Sequence, residues 1–179
     1  MKSRNKYLLL IAVIVFFLLV VGEFISFYLN LYNSAPIYNE EVSSPFLINE
    51  IEVFWDKMGI PHIYAHREEE AFFTLGYIHA MERLFQMELF RRVAEGNLSE
   101  IFGISSLESD KFYKSLNFND IVKKEEFILE PELYGKLKMS IKGINLYIKR
   151  HEHILAPEFQ LLNIKPELWT VKDALLVQK

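Results

Sequence analysis

Residues 59–103, GIPHIYAHREEEAFFTLGYIHAMERLFQMELFRRVAEGNLSEIFG, decide the fold of this chain. After a glycine turn, residues 60–65 are mostly apolar and predict a strand. A helix is predicted over residues 68–95, because acidic residues fill its first turn, basic residues fill its last turn, and Gly96 suits the position after it. Apolar residues occur on more than one side of this helix, so we expect it to be largely buried. Gly76, inside the helix, either lets another element approach closely or bends the helix.

The residues before this block predict the other half of a β-hairpin. Residues 48–55 alternate between apolar and polar side chains, as a strand does. The sequence DKMG at 56–59 supplies the turn, and Pro61 fits the start of the second strand or a sheet edge, where a missing N–H is tolerated. Residues 32–47 are rich in Asn, Ser, Pro and Glu without any period, and they predict a linker.

The residues after the block predict further helices. Residues 97–130 are expected to be irregular, with one short helix near 107–116. A second long helix is predicted to begin at Pro131 and to close near Arg150. A helical turn is expected at 157–162, and Thr170-x-x-Asp173 is a capping box that opens a third helix. The apolar stripe of the second long helix has helical spacing throughout (Leu133, Leu137, Ile141, Ile144 and Ile148).

Composition limits the class of protein. The chain has 179 residues, of which 51% are hydrophobic and 15% aromatic, so a packed core is expected. The net charge of −4 provides no basic surface for nucleic acid, and no nucleic-acid partner is predicted. The absence of cysteine excludes a disulfide framework and thiolate chemistry.

The first 31 residues have the composition of an export signal or a membrane anchor. Lys2, Arg4 and Lys6 precede an apolar run over residues 7–21, and residues 24–31 are mostly apolar again. As a helix, residues 7–31 would cover about 37 Å, more than the roughly 30 Å of a bilayer core. No Lys or Arg follows until Lys57, which places the N-terminus in the cytoplasm and the rest outside. A cleaved signal peptide and an uncleaved transmembrane anchor both remain open, and both predict an exported protein.

The histidines do not form a known metal motif. His79-x-x-Glu82 lies on one helix face and could share a ligand, but no HExxH or similar spacing occurs. We expect His62 and His79 to be hydrogen-bonded inside the fold. His151 and His153 are expected to be solvated. No metal-binding residue is predicted.

No nucleophile or substrate site can be predicted from these residues either. None of the serines lies in a GxSxG elbow or an SxxK motif, so no catalytic residue is predicted. Glu88 with Arg91 and Arg92 predicts helical ion pairs, and Arg83 either pairs in the same way or is buried and holds a neighbouring segment. The serines considered are Ser43, Ser44, Ser99, Ser105, Ser106, Ser109, Ser115 and Ser140.

The order of several short motifs resembles the α-chain of the penicillin acylase family. The resemblance extends over about residues 50–179, with Met81-Glu82 standing where the family often has Gln-Asp. It is carried by WDKMGIPHIYA at 55–65, LGYIHA at 75–80, RLFQMEL at 83–89 with Arg91-Arg92, GNLSEIFG at 96–103, GINLYI at 143–148, PEF at 157–159 and PELWT at 166–170.

The resemblance implies an N-terminal-nucleophile hydrolase that cuts itself into α and β chains. Its nucleophile would be a serine at the start of the β-chain, and its substrates N-acyl amides such as penicillins or acyl homoserine lactones. It also implies an α+β fold in which the hairpin and helices over residues 48–179 form part of an αββα sandwich. Some members bind calcium, so calcium is expected only in the full-length protein. No catalytic, substrate-binding or metal-binding residue carries over onto this chain.

Two functional hypotheses follow. The first is the N-terminal part of an exported acylase whose partner is the β-chain, or downstream part, of the same precursor. The membrane would be a further partner through residues 1–31, and small N-acyl amides would be substrates only when the enzyme is complete. The alternative is a membrane-tethered, non-catalytic remnant or binding module.

Overall fold

The computed structural model describes residues 2–179, which form two compact units divided after Ala35. The first unit contains a single helix, α1 (Lys2–Asn33). By length and composition its Lys6–Asn33 portion could cross a membrane, and a signal sequence would meet the same criterion. The second unit, Pro36–Lys179, contains a two-stranded antiparallel sheet and seven further α-helices among its described residues, so it is an α+β structure.

The predicted hairpin is present but shorter than expected. Strand β1 (Glu52–Trp55) pairs with β2 (Pro61–Tyr64), with Glu52 opposite Tyr64. Asp56 shapes the turn, because its Oδ1 accepts the backbone N–H groups of Met58 and Ile60 at 2.8 and 2.9 Å.

The prediction that the first strand begins at residue 48 is wrong. The backbone N–H groups of Ile48 and Asn49 donate to Oε1 of Glu70, at 3.1 and 3.0 Å. A carboxylate at the start of the next helix therefore satisfies the donors that a longer strand would have used in the sheet.

Helix α2 (Glu68–Glu95) has the predicted bounds and ends at Gly96, whose φ is 69°. The expectation that it is buried on most sides is wrong for one face, where His79, Gln86 and Phe90 remain exposed. The helix is also interrupted at Arg83, which has non-helical backbone angles of φ −138° and ψ 15°.

Helix α6 (Pro131–Arg150) has the predicted bounds, and it crosses α2 at two glycines. A Cβ on Gly76 would lie 2.0 Å from the carbonyl oxygen of Ser140, and one on Gly143 would lie 1.9 Å from that of Phe73. Close approach is therefore the role of Gly76, and the bend in α2 lies elsewhere. The two helices meet at a distance that no larger residue permits.

The prediction that residues 97–130 are irregular is wrong, although the short helix expected near 107–116 is present. Asn117 joins two of these helices in the left-handed region, with φ 53°. The shortest of them has only four residues, too few to show an apolar period. The elements are α3 (Ser99–Phe102), a 3₁₀ turn (Gly103–Ser106), α4 (Leu107–Leu116) and α5 (Phe118–Ile128).

The C-terminal part ends in two short helices, α7 (Pro157–Leu161) and α8 (Val171–Leu176). The predicted capping box is confirmed, since Thr170 and Asp173 cap each other's backbone N–H. The core lies where α2, α6 and α8 meet, with α5 and α7 closing its edges. Its most buried apolar residues are Ala80, Leu84, Val122, Ile144, Phe159, Leu175 and Leu176.

Candidate functional site

The structure does not bring the candidate catalytic residue types together. Among the side chains described in residues 6–179, excepting Asn30, no serine is hydrogen-bonded to a histidine, so no serine has a neighbouring base. No three His, Asp or Glu side chains in this part of the chain are grouped to hold a metal ion. Calcium is expected only in the full-length protein and stays a prediction.

The histidine predictions are partly wrong. His62 is exposed and its Nε2 lies 3.3 Å from Oδ2 of Asp56, while His79 is exposed on α2. His151 is not solvated, because its ring stacks on Tyr147 with centroids 4.2 Å apart. His153 is exposed, as predicted. Strand and helix positions alone do not reveal which face meets solvent.

A buried cluster of charges joins α2 to its neighbours. Glu88 is 1% exposed and accepts from Arg91 and, at 2.8 Å, from Nε of Arg92. Arg92 also donates to Glu100 of α3, and Arg91 lies 3.9 Å from Asp173 of α8. The ion pairs expected for Glu88 are present, but the sequence did not reveal their burial or the two links across elements. A Glu followed three and four residues later by Arg-Arg, among apolar neighbours, is the local signal of such a cluster. The expectation for Arg83 is wrong, because it is exposed and lies within 4 Å of no carboxylate among the described residues.

Two further buried carboxylates hold loops. Burial alone would raise the pKa of Glu70, but hydrogen bonds from the Asn49 side chain and from the backbone of Asn49 and Ile48 outweigh it and lower the pKa. The same balance lowers the pKa of Asp110, whose carboxylate accepts the N–H groups of Leu98 and Ser99 at 2.8 Å each. Both carboxylates are therefore ionised and hold the neighbouring loops by accepting backbone N–H groups.

Residues 36–51 contain no helix or strand and lie on the surface of the second unit. Glu40 holds this segment in place through its carboxylate. Its carboxylate accepts from the Tyr77 hydroxyl at 3.0 Å and from Arg150 at 2.5 Å. Burial, followed by the charge of Glu40, raises the pKa of Tyr77 above its ordinary value. A pocket of about 130 Å³ lies beneath this segment, with walls that include Trp55, Phe73 and Met81. These contacts hold a surface segment in place and assemble no reactive group.

The exposed face of α2 borders a larger groove, which we call the α2/α6/α8 groove. Its volume is about 420 Å³, and no Asp or Glu lines it. Apolar side chains predominate along its walls, and Arg83 and His79 are its only titratable lining residues. The lining residues are His79, Arg83, Gln86, Met87, Phe90, Ser140, Ile144, Trp169, Ala174, Val177 and Gln178.

Trp169 forms one wall of this groove and is held from two sides. Asn145 of α6 pairs with its backbone, donating to the carbonyl at 2.8 Å and accepting its N–H at 2.7 Å. The Arg91 guanidinium lies 5.6 Å from the indole ring centroid. The indole Nε1–H is buried without an acceptor among the described residues. These contacts fix the position of Trp169 and provide no reactive group.

Comparison with known proteins relates the chain to amide hydrolases. The sequence model of the penicillin amidase family matches residues 50–179. Penicillin acylase 2 proenzyme of Pseudomonas sp. strain SE83 is 32% identical over 82% of this chain, and penicillin G acylase of Escherichia coli is 31% identical over 82%. Acyl-homoserine lactone acylase QuiP of Pseudomonas aeruginosa is 30% identical over 73%. The matches span only 19%, 17% and 16% of the lengths of these three relatives.

The fold agrees with this relationship. Thermostable penicillin G acylase from Alcaligenes faecalis superposes with a TM-score of 0.66, covering 73% of this chain and 71% of that chain at 22% identity. The family match extends from the hairpin to the last helix and includes the glycine crossing, the buried charge cluster and the Asn145–Trp169 pair. On this evidence the chain belongs to the penicillin amidase family.

Proposed function

We propose that this chain is the N-terminal scaffold of an exported N-acyl amide hydrolase that acts together with a downstream region. One observation carries the proposal: the family match covers residues 50–179, yet the chain spans less than a fifth of the length of its relatives. The nucleophile, the calcium ligands and the acyl-binding residues would then belong to the downstream region. The substrates would be penicillins, acyl homoserine lactones or related amides.

The hairpin supports a role as one side of an αββα sandwich. Val53 and Trp55 point toward α2, whereas Phe54 and Tyr64 on the opposite face are 63% and 64% exposed. A sheet with one apolar face packed and aromatic side chains on the other suits a second layer. In the proposed enzyme the downstream region supplies that layer.

The location of the protein belongs to the same proposal. The basic residues at the start of α1 and the absence of further Lys or Arg until Lys57 favour export with the N-terminus in the cytoplasm. The second unit would then lie outside the membrane, where it would meet external N-acyl amides. An anchor that stays attached would keep the enzyme at the membrane surface.

The test is to express residues 1–179 alone and extended through the coding sequence that follows them. We expect the extended precursor to cleave itself and to hydrolyse at least one of phenylacetyl, aliphatic acyl or acyl homoserine lactone amides. Residues 1–179 alone should hydrolyse none of them, because no activated nucleophile is assembled there. Turnover by residues 1–179, or an extended precursor inactive on the whole panel, would refute the proposal.

The same experiment addresses the non-catalytic alternative. A tethered binding module would require no downstream region, so residues 1–179 would be monomeric and fold cooperatively without it. The scaffold hypothesis instead expects residues 1–179 to gain stability when the downstream region is present. Equal unfolding midpoints with and without that region would favour the module.

A further inference from the structure

We propose that the α2/α6/α8 groove docks an apolar segment of the downstream acylase region and that a carboxylate on this segment pairs with Arg83. The inference rests on the proposed function, because it takes its occupant from the same precursor. It goes further by assigning a surface, an anchoring residue and the chemistry of the occupant.

The charges around Arg83 are the first argument. Among arginine side chains in residues 6–179, Arg67, Arg91, Arg92 and Arg150 each lie within 4 Å of a carboxylate, and Arg83 does not. Its sequence neighbour Glu82 is exposed and does not line the groove, as expected for adjacent helix positions that point apart. A groove with an arginine and no acidic lining residue is complementary to a carboxylate.

His79 does not supply a competing charge. Although the residue has an exposed surface, burial of its ring lowers its pKa, so at neutral pH the imidazole is mainly uncharged. No Lys, Asp or Glu lines the groove, although the surrounding elements carry several, including Glu82, Lys142 and Lys172. Arg83 is therefore the charge that an occupant of the groove would meet.

The backbone at Arg83 is the second argument. Helix α2 has non-helical angles at this residue, although residues 80–86 contain no proline or glycine that would explain an interruption. The interruption therefore lies in the wall of the groove, at the residue whose charge is unpaired. It separates the half of α2 that carries the Gly76 crossing from the half that carries Gln86 and Phe90.

The wall formed by Trp169 is the third argument. Trp169 is 5% exposed, and its Nε1–H has no acceptor among the described residues, although buried N–H groups are nearly always paired. Around it, Met87, Ile144 and Val177 present apolar side chains. An inserted segment with apolar side chains would match these walls.

Cysteine labelling tests the occupancy directly, because residues 1–179 contain no cysteine. Gln86→Cys places a thiol in the groove, and Phe127→Cys places one at a site that is 91% exposed. Maleimide labelling of Q86C should be at least about tenfold slower in the extended precursor than in residues 1–179, as expected for a site opened only by local dissociation. F127C should label equally in both. Labelling of Q86C at the same rate in both chains would overturn the inference.

Charge reversal tests the anchoring residue. Arg83→Glu should weaken the association of the processed chains by about 30-fold, whereas the control Arg67→Glu, outside the groove, should change it less than about threefold. Second-site mutations that restore association in R83E should replace an acidic residue of the downstream region with Lys or Arg. Normal association of R83E, or restoring mutations confined to residues 36–179, would refute the role of Arg83.

These outcomes are separate from those of the proposed function. An extended precursor that is active while Q86C stays fully reactive leaves the acylase proposal intact and removes only this docking surface. An extended precursor without amide hydrolysis removes the proposed function, whatever the labelling rate.

Discussion

At the scale of single residues, two glycines and a buried carboxylate determine how distant segments of the chain come together. Gly76 and Gly143 allow α2 and α6 to touch backbone to backbone, and a methyl group at either position would lie within 2.0 Å of a carbonyl oxygen. The carboxylate of Glu70 accepts the backbone N–H groups of Ile48 and Asn49, which a longer strand would have used in the sheet. Both features depend on contacts between segments far apart in the chain.

We predict that Gly143→Ala destabilises the second unit by about 1–3 kcal/mol, the usual cost of overpacking a core. Gly135→Ala is the matched control on the same helix, because nothing lies within 4 Å of its added methyl group. It should stabilise the protein by about 0.5–1 kcal/mol through helix propensity. Urea unfolding followed by tryptophan fluorescence measures both, and equal effects would contradict the close crossing.

We predict that Glu70 makes stability depend on pH in one direction. Its pKa lies below the ordinary value of 4.5, so its contribution is complete above that value and is lost as pH falls through the folded pKa. The unfolding midpoints of the wild type and Glu70→Gln should therefore differ most at neutral pH and converge in acid. A difference in unfolding midpoint that stays constant from pH 7 to pH 3 would show that the charge of Glu70 does not contribute to stability.

At the scale of elements, α2 holds the others together through its buried charges as well as its apolar side chains. Glu88 binds two arginines, and through them α2 reaches Glu100 of α3 and Asp173 of α8. Such a cluster adds little net stability compared with apolar packing, but removing one member leaves the others buried and unpaired. It therefore fixes how α3 and α8 are placed against α2.

We predict that Glu88→Gln destabilises the second unit by about 3 kcal/mol, because Arg91 keeps its charge in a buried site. The control Glu108→Gln removes an exposed carboxylate that pairs with Lys111 and should cost less than about 1 kcal/mol. Trp169 lies beside Arg91 and reports on this region by its fluorescence. Similar losses in the two variants would mean that the cluster is solvated.

At the scale of the whole molecule, the chain combines an apolar helix, α1, with a second unit that keeps apolar side chains exposed on its surface. One face of α2 and one face of the hairpin carry exposed aromatic residues, including Phe90 and Phe54. Exposed apolar surfaces of this kind mark interfaces in soluble proteins. This pattern agrees with a chain that spans less than a fifth of the length of its relatives.

We predict that α1 directs the chain to the membrane and that Phe16→Arg prevents this. An arginine near the centre of an apolar helix costs about 3 kcal/mol on insertion. The variant should leave the membrane fraction, whereas the control Tyr32→Arg, at the end of the helix, should remain in it. N-terminal sequencing of the membrane-bound wild type then separates an anchor from a cleaved signal. Unchanged fractionation of F16R would contradict the role of α1.

The local signals in the sequence were sufficient for the ends of the long helices and for the family. The bounds of α2 and α6, the DKMG turn and the Thr170–Asp173 capping box were predictable, because each depends on residues within one turn or a few positions. The four-residue helix α3 was missed because it offers too few residues for a period to be recognised, and α5 was missed although it is longer than the predicted α4.

By itself, then, the sequence determined the turn of the hairpin, the ends of the long helices and the membership of the family. Only the tertiary structure decided that Glu70 shortens the first strand, that Glu88 is buried, and that Gly76 serves a close crossing. It also decided that Arg83 and Trp169, far apart in the chain, border one groove. The reason is physical: capping, turns and helical periodicity act over a few residues, whereas burial and open surfaces depend on which distant segments come to pack together.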